Sequence, residues 1–146
     1  MIYLLRHGTA EDGSGKPDAD RELTAEGRAE SEAAGRALAA LDAGIEACLT
    51  SPKVRARDTA LIACEHLAPD PEQTAELRGG PVDLLALAAG RGNILLVGHE
   101  PDFSNAVAAV TGAQVKLRKG GVAAIEGRLL HRLLDPPALR AIARGT

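Results

Sequence analysis

Two kinds of apolar pattern alternate along the chain, short continuous runs and longer segments with a period of three to four residues. Residues 2–5 and 93–97 are continuous apolar runs, which is typical of strands that are covered on both faces of a sheet. Between them, regularly spaced alanines and leucines predict a helix that Thr24 caps and that ends near Gly44. The chain therefore begins as strand, loop and helix.

The same two patterns, interrupted by Gly and Pro, predict the remaining elements. We expect a helix after a Ser51 N-cap, with Pro52 as its first residue, that runs to about Leu67. A hairpin is expected to turn at Gly127. The other predicted strands are 45–50, 73–77, 121–126 and 128–134, and the other predicted helices are 81–89, 101–110 and 136–144. This alternation predicts a three-layer α/β/α sandwich around a mainly parallel sheet, as a single domain of residues 1–146.

Polar residues follow three of the predicted strands where those strands end. Arg6 and His7 follow the first strand, Ser51 follows strand 45–50, and His99 follows strand 93–97 after one glycine. Ligands of parallel sheets bind beyond the carboxyl ends of the strands. The sequence therefore predicts that these groups converge on one site.

Together, these residue types are suited to phosphoryl transfer. A neutral imidazole can attack phosphorus and form a covalent phosphohistidine, and His7 is the predicted nucleophile. Arg6 and Arg55 would hold the phosphoryl oxygens with planar, bidentate donors, and His99 would donate a further hydrogen bond. Gly8, which has no Cβ, would let the backbone approach the phosphate.

Composition limits the other classes of function. The chain is 45% hydrophobic, 25% charged and 1% aromatic, with a net charge of −3, so it has no basic, aromatic-rich surface for nucleic acid. Cys48 and Cys64 have no CxxC spacing, and HxH and HExxH patterns are absent, so we expect neither a metal nor another cofactor. The apolar run 2–5 is too short for a signal peptide or a membrane span, which favours a cytoplasmic location.

Five segments match, in order, the motifs of the histidine phosphatase superfamily, which includes phosphoglycerate mutases and acid phosphatases. They are RHGTAE (6–11), DRELTAEGR (20–28), SPKVRARDTA (51–60), VGHEPDFS (97–104) and KGGVA (119–123). Over nearly its whole length the chain resembles the small SixA-type phosphohistidine phosphatases. This resemblance implies a phosphoglycerate mutase-like fold in a minimal version, without the lid insertions of larger relatives.

The resemblance also implies roles for individual residues. His7 would be the phospho-acceptor, and Arg6, Arg55 and His99 would form the phosphate pocket. Arg21, which lies in the second matched segment, would be an additional cation in or near that pocket. These assignments agree with those made from the ends of the strands.

The group that protonates the leaving atom is left open by the sequence. In mutase-like members a carboxylic acid has this role, and here Glu76, Asp83 and Glu100 are the alternatives, with Glu76 the first choice. A site without such an acid would suit phosphohistidine better than an alkyl ester, because the imidazole of phosphohistidine leaves more easily than an alkoxide.

Three functions are therefore compatible with the sequence. The first is dephosphorylation of phosphohistidine on a partner protein of the histidine-phosphotransfer type. The alternatives are a phosphomonoesterase for a small metabolite or nucleotide, and a regulatory module that binds phosphate without turnover. No nucleic acid or membrane is expected as a partner.

The last third of the chain is rich in basic residues, while acidic residues dominate 11–32. These cations are either scattered solvated charges or a docking surface for an acidic protein or a polyphosphorylated ligand. They are Lys116, Arg118, Lys119, Arg128, Arg132, Arg140 and Arg144.

Overall fold

One six-stranded sheet, covered by helices on both faces, forms the fold. The structure, a computed structural model, describes residues 1–145, and Thr146, the last residue of the predicted domain, lies outside them. The strands are β1 (Ile2–Arg6), β2 (Ala47–Thr50), β3 (Pro71–Gln73), β4 (Ile94–Gly98), β5 (Val122–Glu126) and β6 (Leu129–Leu134). The helices are α1 (Ala25–Ala40), α2 (Val54–Cys64), α3 (Leu84–Ala88), α4 (Asp102–Thr111) and α5 (Pro136–Arg144).

The strand order is β3-β2-β4-β1-β5-β6, and the sheet is mainly parallel. β1, β2, β3 and β4 run in one direction, whereas β5 is antiparallel to both β1 and β6. β5 and β6 form a hairpin, in which Gly127 has a φ of +62°, a conformation that favours glycine. The predicted three-layer α/β/α fold with a mainly parallel sheet is confirmed, and the hairpin turns at Gly127.

Apolar side chains cover both faces of the sheet, which explains the continuous apolar runs of β1 and β4. Tyr3 and Leu5 pack in a core with residues of α1, α2 and α5, while Leu4 packs in a second core with residues of α3 and α4. The first core is rich in alanine, and a Cβ at Gly35 would lie 2.4 Å from the Ala63 carbonyl oxygen. Small residues therefore let α1 approach α2 closely.

The start of α2 differs from the prediction. Its N-cap is Lys53, and the first helical residue is Val54, so Ser51 and Pro52 precede the helix. The Ser51 Oγ atom accepts a hydrogen bond from the Lys53 backbone N–H at 3.2 Å and also pairs with the His99 ring. The predicted N-cap was wrong because the serine hydroxyl is used in the site rather than at the helix end.

The segment after α2 also differs from the prediction. β3 ends at Gln73, where the predicted strand 73–77 begins, and a 3-10 turn, Ala75–Leu77, follows it. The Thr74 side chain accepts a hydrogen bond from the Glu76 backbone N–H at 3.3 Å, which stabilises the turn. Leu77 is buried in the core from this turn, so its apolar character was wrongly assigned to a strand.

Candidate active site

A charged pocket of about 260 Å³ lies beyond the carboxyl ends of β1, β2 and β4. These three strands are neighbours in the sheet, so the residues that follow them meet at one edge. Six cationic side chains line the pocket beside two histidines and two carboxylates. The lining residues are Arg6, His7, Ala10, Arg21, Lys53, Arg55, Arg78, Gly79, His99, Glu100, Asp102 and Lys119. The strand ends thus converge as the sequence predicted.

His7 follows β1 and is held as a neutral imidazole. Its Nδ1 atom lies 2.7 Å from the Gly8 carbonyl oxygen. Because a carbonyl only accepts, Nδ1 carries the proton and Nε2 keeps its lone pair. Burial, together with the positive charges of Arg55, Arg6 and Arg21, lowers the pKa of His7 to about 4. The ring is therefore neutral at neutral pH, and its Nε2 atom is available as a nucleophile.

His99 follows β4, and its ring lies beside that of His7, with 5.2 Å between the ring centroids. Its Nε2 atom is 2.8 Å from Ser51 Oγ. Its Nδ1 atom is buried and has no hydrogen-bond partner within residues 1–145. Burial, and then the charges of His7 and Arg55, lower the pKa of His99 to about 3. With the Ser51 hydroxyl donating to Nε2, Nδ1 carries a proton that can be donated to an anion.

Arg55 lies in the first turn of α2 and is anchored by Asp18, which belongs to a 3-10 turn in the loop after β1. Its Nη1 donates to the Asp18 carbonyl oxygen at 2.8 Å and its Nη2 to Asp18 Oδ2 at 3.2 Å. The Nε atom is buried and has no partner within the described chain. The guanidinium is therefore positioned on one side and has an unsatisfied donor, which an anion could accept from.

The Asp18 carboxylate also lies 3.2 Å from Lys53 Nζ and 3.2 Å from Arg21 Nε. Burial is the largest single influence and raises the pKa of Asp18, but the hydrogen bonds from Lys53 and Arg55 and the charges of both cations together outweigh it and lower the pKa to about 2. One permanent negative charge thus holds three cations of the pocket wall in place.

Arg6, the last residue of β1, is anchored from the opposite side. Its Nη1 donates to the Leu117 carbonyl oxygen at 3.1 Å, and its buried Nε has no partner within residues 1–145. Burial lowers the pKa of Arg6, and the charges of Glu100 and Glu30 oppose that shift. Because an arginine stays charged at any working pH, Arg6 is a second fixed cation with a free donor.

The structure shows a packing role for Gly8. Its backbone N–H donates to Thr59 Oγ1 at 3.1 Å. A Cβ at Gly8 would lie 2.5 Å from the Gly27 carbonyl oxygen, and a Cβ at Gly27 would lie 2.0 Å from that of Thr9. The missing Cβ of Gly8 thus makes room for the first turn of α1, and the approach of its backbone to phosphate stays a prediction.

The three carboxylates that the sequence left open as acids lie in different places. Glu76 is exposed in its 3-10 turn and does not line the pocket. Asp83 caps α3 by accepting from the Ala86 backbone N–H at 3.1 Å. Glu100 lines the pocket, and its two oxygens accept hydrogen bonds from the backbone N–H and hydroxyl of Ser104. The structure thus brings Glu100, and not Glu76, to the pocket, together with Asp102.

Several residues that line the pocket or hold its side chains in place were not found from the sequence. Asp18 was part of a loop cluster without any motif role, and Ser51 was assigned to a helix cap. Lys53 lies within the matched SPKVRARDTA segment, which could have directed attention to it. Arg78 had no sequence signal, because the turn that brings its loop to the pocket was predicted as a strand.

Potential metal ligands come together outside this pocket. Glu32, Glu65 and His66 have ligand atoms that all lie within 4.8 Å of one another, at the surface between α1 and the end of α2. None of the three lines the pocket. A search of residues 1–145 finds no helix that is both long and apolar enough to cross a membrane.

The family model for the histidine phosphatase superfamily (branch 1) matches residues 2–79, just over half of the chain. The chain belongs to this superfamily. An uncharacterized protein of Picosynechococcus sp. is 35% identical to this histidine phosphatase over 134 residues, which cover 83% of the chain and 81% of that protein. The resemblance to the family that the motifs indicated is confirmed.

Two solved structures have the same fold. A protein of Agrobacterium tumefaciens, assigned as the phosphohistidine phosphatase SixA, has a TM-score of 0.83 at 26% identity, over 92% of this chain and 97% of its own. The protein histidine phosphatase SixA complexed with tungstate has a TM-score of 0.80 at 24% identity, over 94% of this chain and 98% of its own. The superfamily membership and the Agrobacterium tumefaciens neighbour support phosphatase function for this chain, and the tungstate complex shows the shared fold.

Proposed function

We propose that this histidine phosphatase removes the phosphoryl group from phosphohistidine on a partner protein, through a covalent intermediate on His7. The observation that carries the proposal is the pocket lining, in which only Ala10 and Gly79 are neither charged nor histidine. Such a lining is suited to a phosphoryl group and offers little apolar surface to the rest of a small substrate. The bulk of the substrate would then remain outside the pocket.

The geometry of His7 supports the first chemical step. The Nε2 lone pair attacks phosphorus, a P–N bond forms to His7, and the P–N bond of the substrate breaks. The departing imidazole nitrogen takes up a proton from solvent water and becomes neutral histidine on the partner. Arg6, Arg55 and His99 have buried donors without partners, and these donors would stabilise the charge on the transferring oxygens. Arg21 would add a further positive charge from the wall of the pocket.

In the second step, water attacks phosphorus and the bond to His7 Nε2 breaks. Inorganic phosphate leaves, one proton from the water goes to solvent, and His7 returns to its neutral form. The same cations serve both steps, because the phosphoryl oxygens stay in the same place while the nucleophile and the leaving group exchange roles.

The carboxylates of the pocket also favour phosphohistidine. Both oxygens of Glu100 already accept hydrogen bonds from Ser104, so the structure does not offer Glu100 as a free proton donor. An alkoxide leaving group requires a well-placed acid, whereas an imidazole leaves phosphorus with much less assistance. A pocket with six cations and two carboxylates, of which Glu100 is engaged with Ser104, is therefore better suited to a P–N bond than to an alkyl ester.

A nucleotide or sugar phosphate is less well matched to this pocket. Small-molecule sites typically measure roughly 300–1,000 Å³ and are lined by apolar and aromatic groups. The single Phe and the single Tyr of the chain, Phe103 and Tyr3, are buried in the two cores. Neither lines the pocket, so no phenyl or phenol ring is available there to stack on a base.

The decisive experiment compares substrates on one enzyme preparation. A histidine-phosphotransfer protein labelled with radioactive phosphate should lose its label within minutes at catalytic amounts of enzyme. His7→Ala should abolish the release, whereas His131→Ala, a matched change on β6 away from the pocket, should leave it unchanged. Rapid quenching should trap label on the wild-type enzyme and not on His7→Ala.

Two results would refute this assignment. A panel of sugar phosphates and nucleotides that yields a much higher kcat/KM than the phosphorylated protein would identify a metabolite phosphomonoesterase. Tight phosphate binding without any trapped label or turnover would identify a module that binds phosphate without chemistry.

A further inference from the structure

A second groove, of about 400 Å³, adjoins the catalytic pocket and is predominantly basic. Arg6 and Lys119 line both the pocket and this groove, so the two are continuous. We call it the basic groove, and its lining residues are Arg6, Glu26, Glu30, Lys116, Arg118, Lys119, Pro136, Pro137 and Arg140.

The cations of the basic groove differ from those of the pocket wall in having no ion-pair partner. Within residues 1–145, Lys116, Arg118, Lys119 and Arg140 lie within 4.0 Å of no carboxylate. One of the two carboxylates of the groove, Glu30, is buried and accepts a hydrogen bond from a backbone N–H at 2.8 Å. Five cations are thus gathered beside the catalytic pocket with two carboxylates, neither of which forms an ion pair with them.

We infer that the basic groove docks an acidic segment of the protein that presents the phosphohistidine. This inference rests on the proposed function and adds a recognition surface to it. An acidic segment would supply ion-pair partners for the groove cations, and the exposed Pro137 would contact its backbone. The continuity through Arg6 and Lys119 puts such a segment directly beside the phosphohistidine in the pocket.

The exposure of the cations favours a polypeptide over a small polyanion. A specific site for a small phosphate has buried, anchored donors, such as the Nε atoms of Arg6 and Arg55 in the pocket. Lys116, Arg118 and Lys119 are exposed and come from the segment before β5, so they recognise charge over an extended surface. Such surfaces increase association rates and orient a partner, and they are sensitive to salt.

The net charge of the chain makes this recognition directional. The molecule carries −3 overall, so an acidic partner is weakly repelled by most of its surface and attracted at the basic groove. A partner would therefore approach with its acidic segment towards α5 and its phosphohistidine towards the pocket.

The test uses two phosphohistidine peptides that differ only in their flanking residues, acidic in one and the amide equivalents in the other. We expect a kcat/KM for the acidic peptide about tenfold higher at low salt, with most of that preference lost at high ionic strength. The kcat/KM for free phosphohistidine, which has no flanking residues, reports the chemical reaction without docking.

Matched charge reversals locate the surface. Arg118→Glu with Arg140→Glu should remove the preference for the acidic peptide and leave turnover of free phosphohistidine within twofold. The control double variant, Arg91→Glu with Arg128→Glu, makes the same change in net charge. Its positions are exposed and lie near the amino ends of the parallel strands, away from the pocket, so it should retain at least half of the preference for the acidic peptide. Lys119 is left unchanged because it also lines the pocket.

The outcomes separate this inference from the proposed function. Equal kcat/KM for the two peptides, or equal losses in the two double variants, would overturn the docking surface while hydrolysis still supports the function. If no phosphohistidine compound is hydrolysed, binding of the unphosphorylated acidic peptide decides. Binding of this peptide is measured by fluorescence anisotropy. A Kd about tenfold higher for the Arg118→Glu, Arg140→Glu double variant than for the wild type supports docking in the basic groove. Tighter binding of inorganic tripolyphosphate than of the peptide overturns it.

Discussion

The low pKa of His7 makes the pH dependence of the enzyme a stringent test of the proposed nucleophile. An ordinary histidine has a pKa of about 6.5, and the buried, cation-flanked His7 ring has one of about 4. A difference of roughly 2.5 pH units corresponds to about 3 kcal/mol in favour of the neutral ring. Lowering the pH is therefore the perturbation, and protonation of Nε2 is the event that should stop the reaction.

The predicted effect is large at mildly acidic pH. At pH 5.5 about 90% of an unperturbed imidazole is protonated, whereas about 97% of His7 remains neutral, which is roughly a tenfold difference in available nucleophile. We expect kcat/KM for phosphohistidine, corrected for protonation of the substrate, to hold its plateau down to about pH 5 and to fall near pH 4.

NMR titration of the free enzyme gives the pKa without any substrate. The chain has four histidines, so the C2–H resonance of His7 can be identified as the one that a His7→Gln variant lacks. A titration midpoint near pH 6.5 would refute the reasoning, because His7 would then be an ordinary, solvated imidazole. A midpoint near pH 4 together with an activity loss at pH 6.5 would show that another group controls the rate.

The same shifts determine how stability depends on pH. Between pH 6.5 and about 4 the unfolded chain binds protons at His7 and His99 that the folded protein does not bind. The free energy of unfolding therefore falls as the pH is lowered through this window. For His99 the loss continues to about pH 3. Denaturant titrations at pH 7 and pH 5 should show the lower stability at pH 5.

Three substitutions test the supporting contacts of the site, and a fourth, Gly35→Ala, serves as a control. Gly27→Ala would place a methyl group 2.0 Å from the carbonyl oxygen of a loop residue beside the nucleophile, so kcat and Tm should both fall. Gly35→Ala meets α2 instead and should lower Tm alone. Overpacking of this kind destabilises a protein by roughly 1–3 kcal/mol. If Gly27→Ala and Gly35→Ala lowered kcat equally, the proposed difference between the two glycines would be contradicted. Ser51→Ala removes the hydroxyl beside His99 Nε2, and the loss of roughly 1–3 kcal/mol predicts a kcat lower by about 5- to 100-fold in steady-state assays. An unchanged kcat would mean that the serine does not orient the ring. Asp18→Asn removes an exposed negative charge beside the cations of the pocket wall. A gain of about 1 kcal/mol in the free energy of phosphate binding predicts roughly fivefold tighter inhibition by phosphate. Weaker inhibition would show that Asp18 matters mainly as an anchor.

Much of this site could be predicted because its parts follow strands with strong local signals. β1 and β4 are continuous apolar runs, and the residues after a parallel strand lie at a known edge of the sheet. His7 and His99 could therefore be expected to meet, although they are far apart in sequence. The cap of α1 was also predictable, since Thr24 accepts from the Gly27 backbone N–H at 3.1 Å.

The parts that could not be predicted depend on packing between segments without local signals. The contact between Asp18 and Arg55 joins residues 37 positions apart through a loop that has no periodicity. The role of Gly8 depends on how closely α1 approaches β1, which is a property of the folded structure. The position of Glu76 outside the pocket lining could not be predicted for the same reason, since Glu76 lies in a 3-10 turn whose sequence is typical of a strand.

The strand order also has a consequence for synthesis of the chain. β4 lies between β1 and β2 in the sheet, yet it is made after both of them. A nascent chain that has emerged only to the end of β3 carries His7 and Arg55 but has no partner strand between them. Its apolar edges stay unpaired until residues 94–98 arrive, which exposes the ribosome-bound fragment to aggregation. The nucleophile and its arginine can therefore act together only after β4 has joined the two halves.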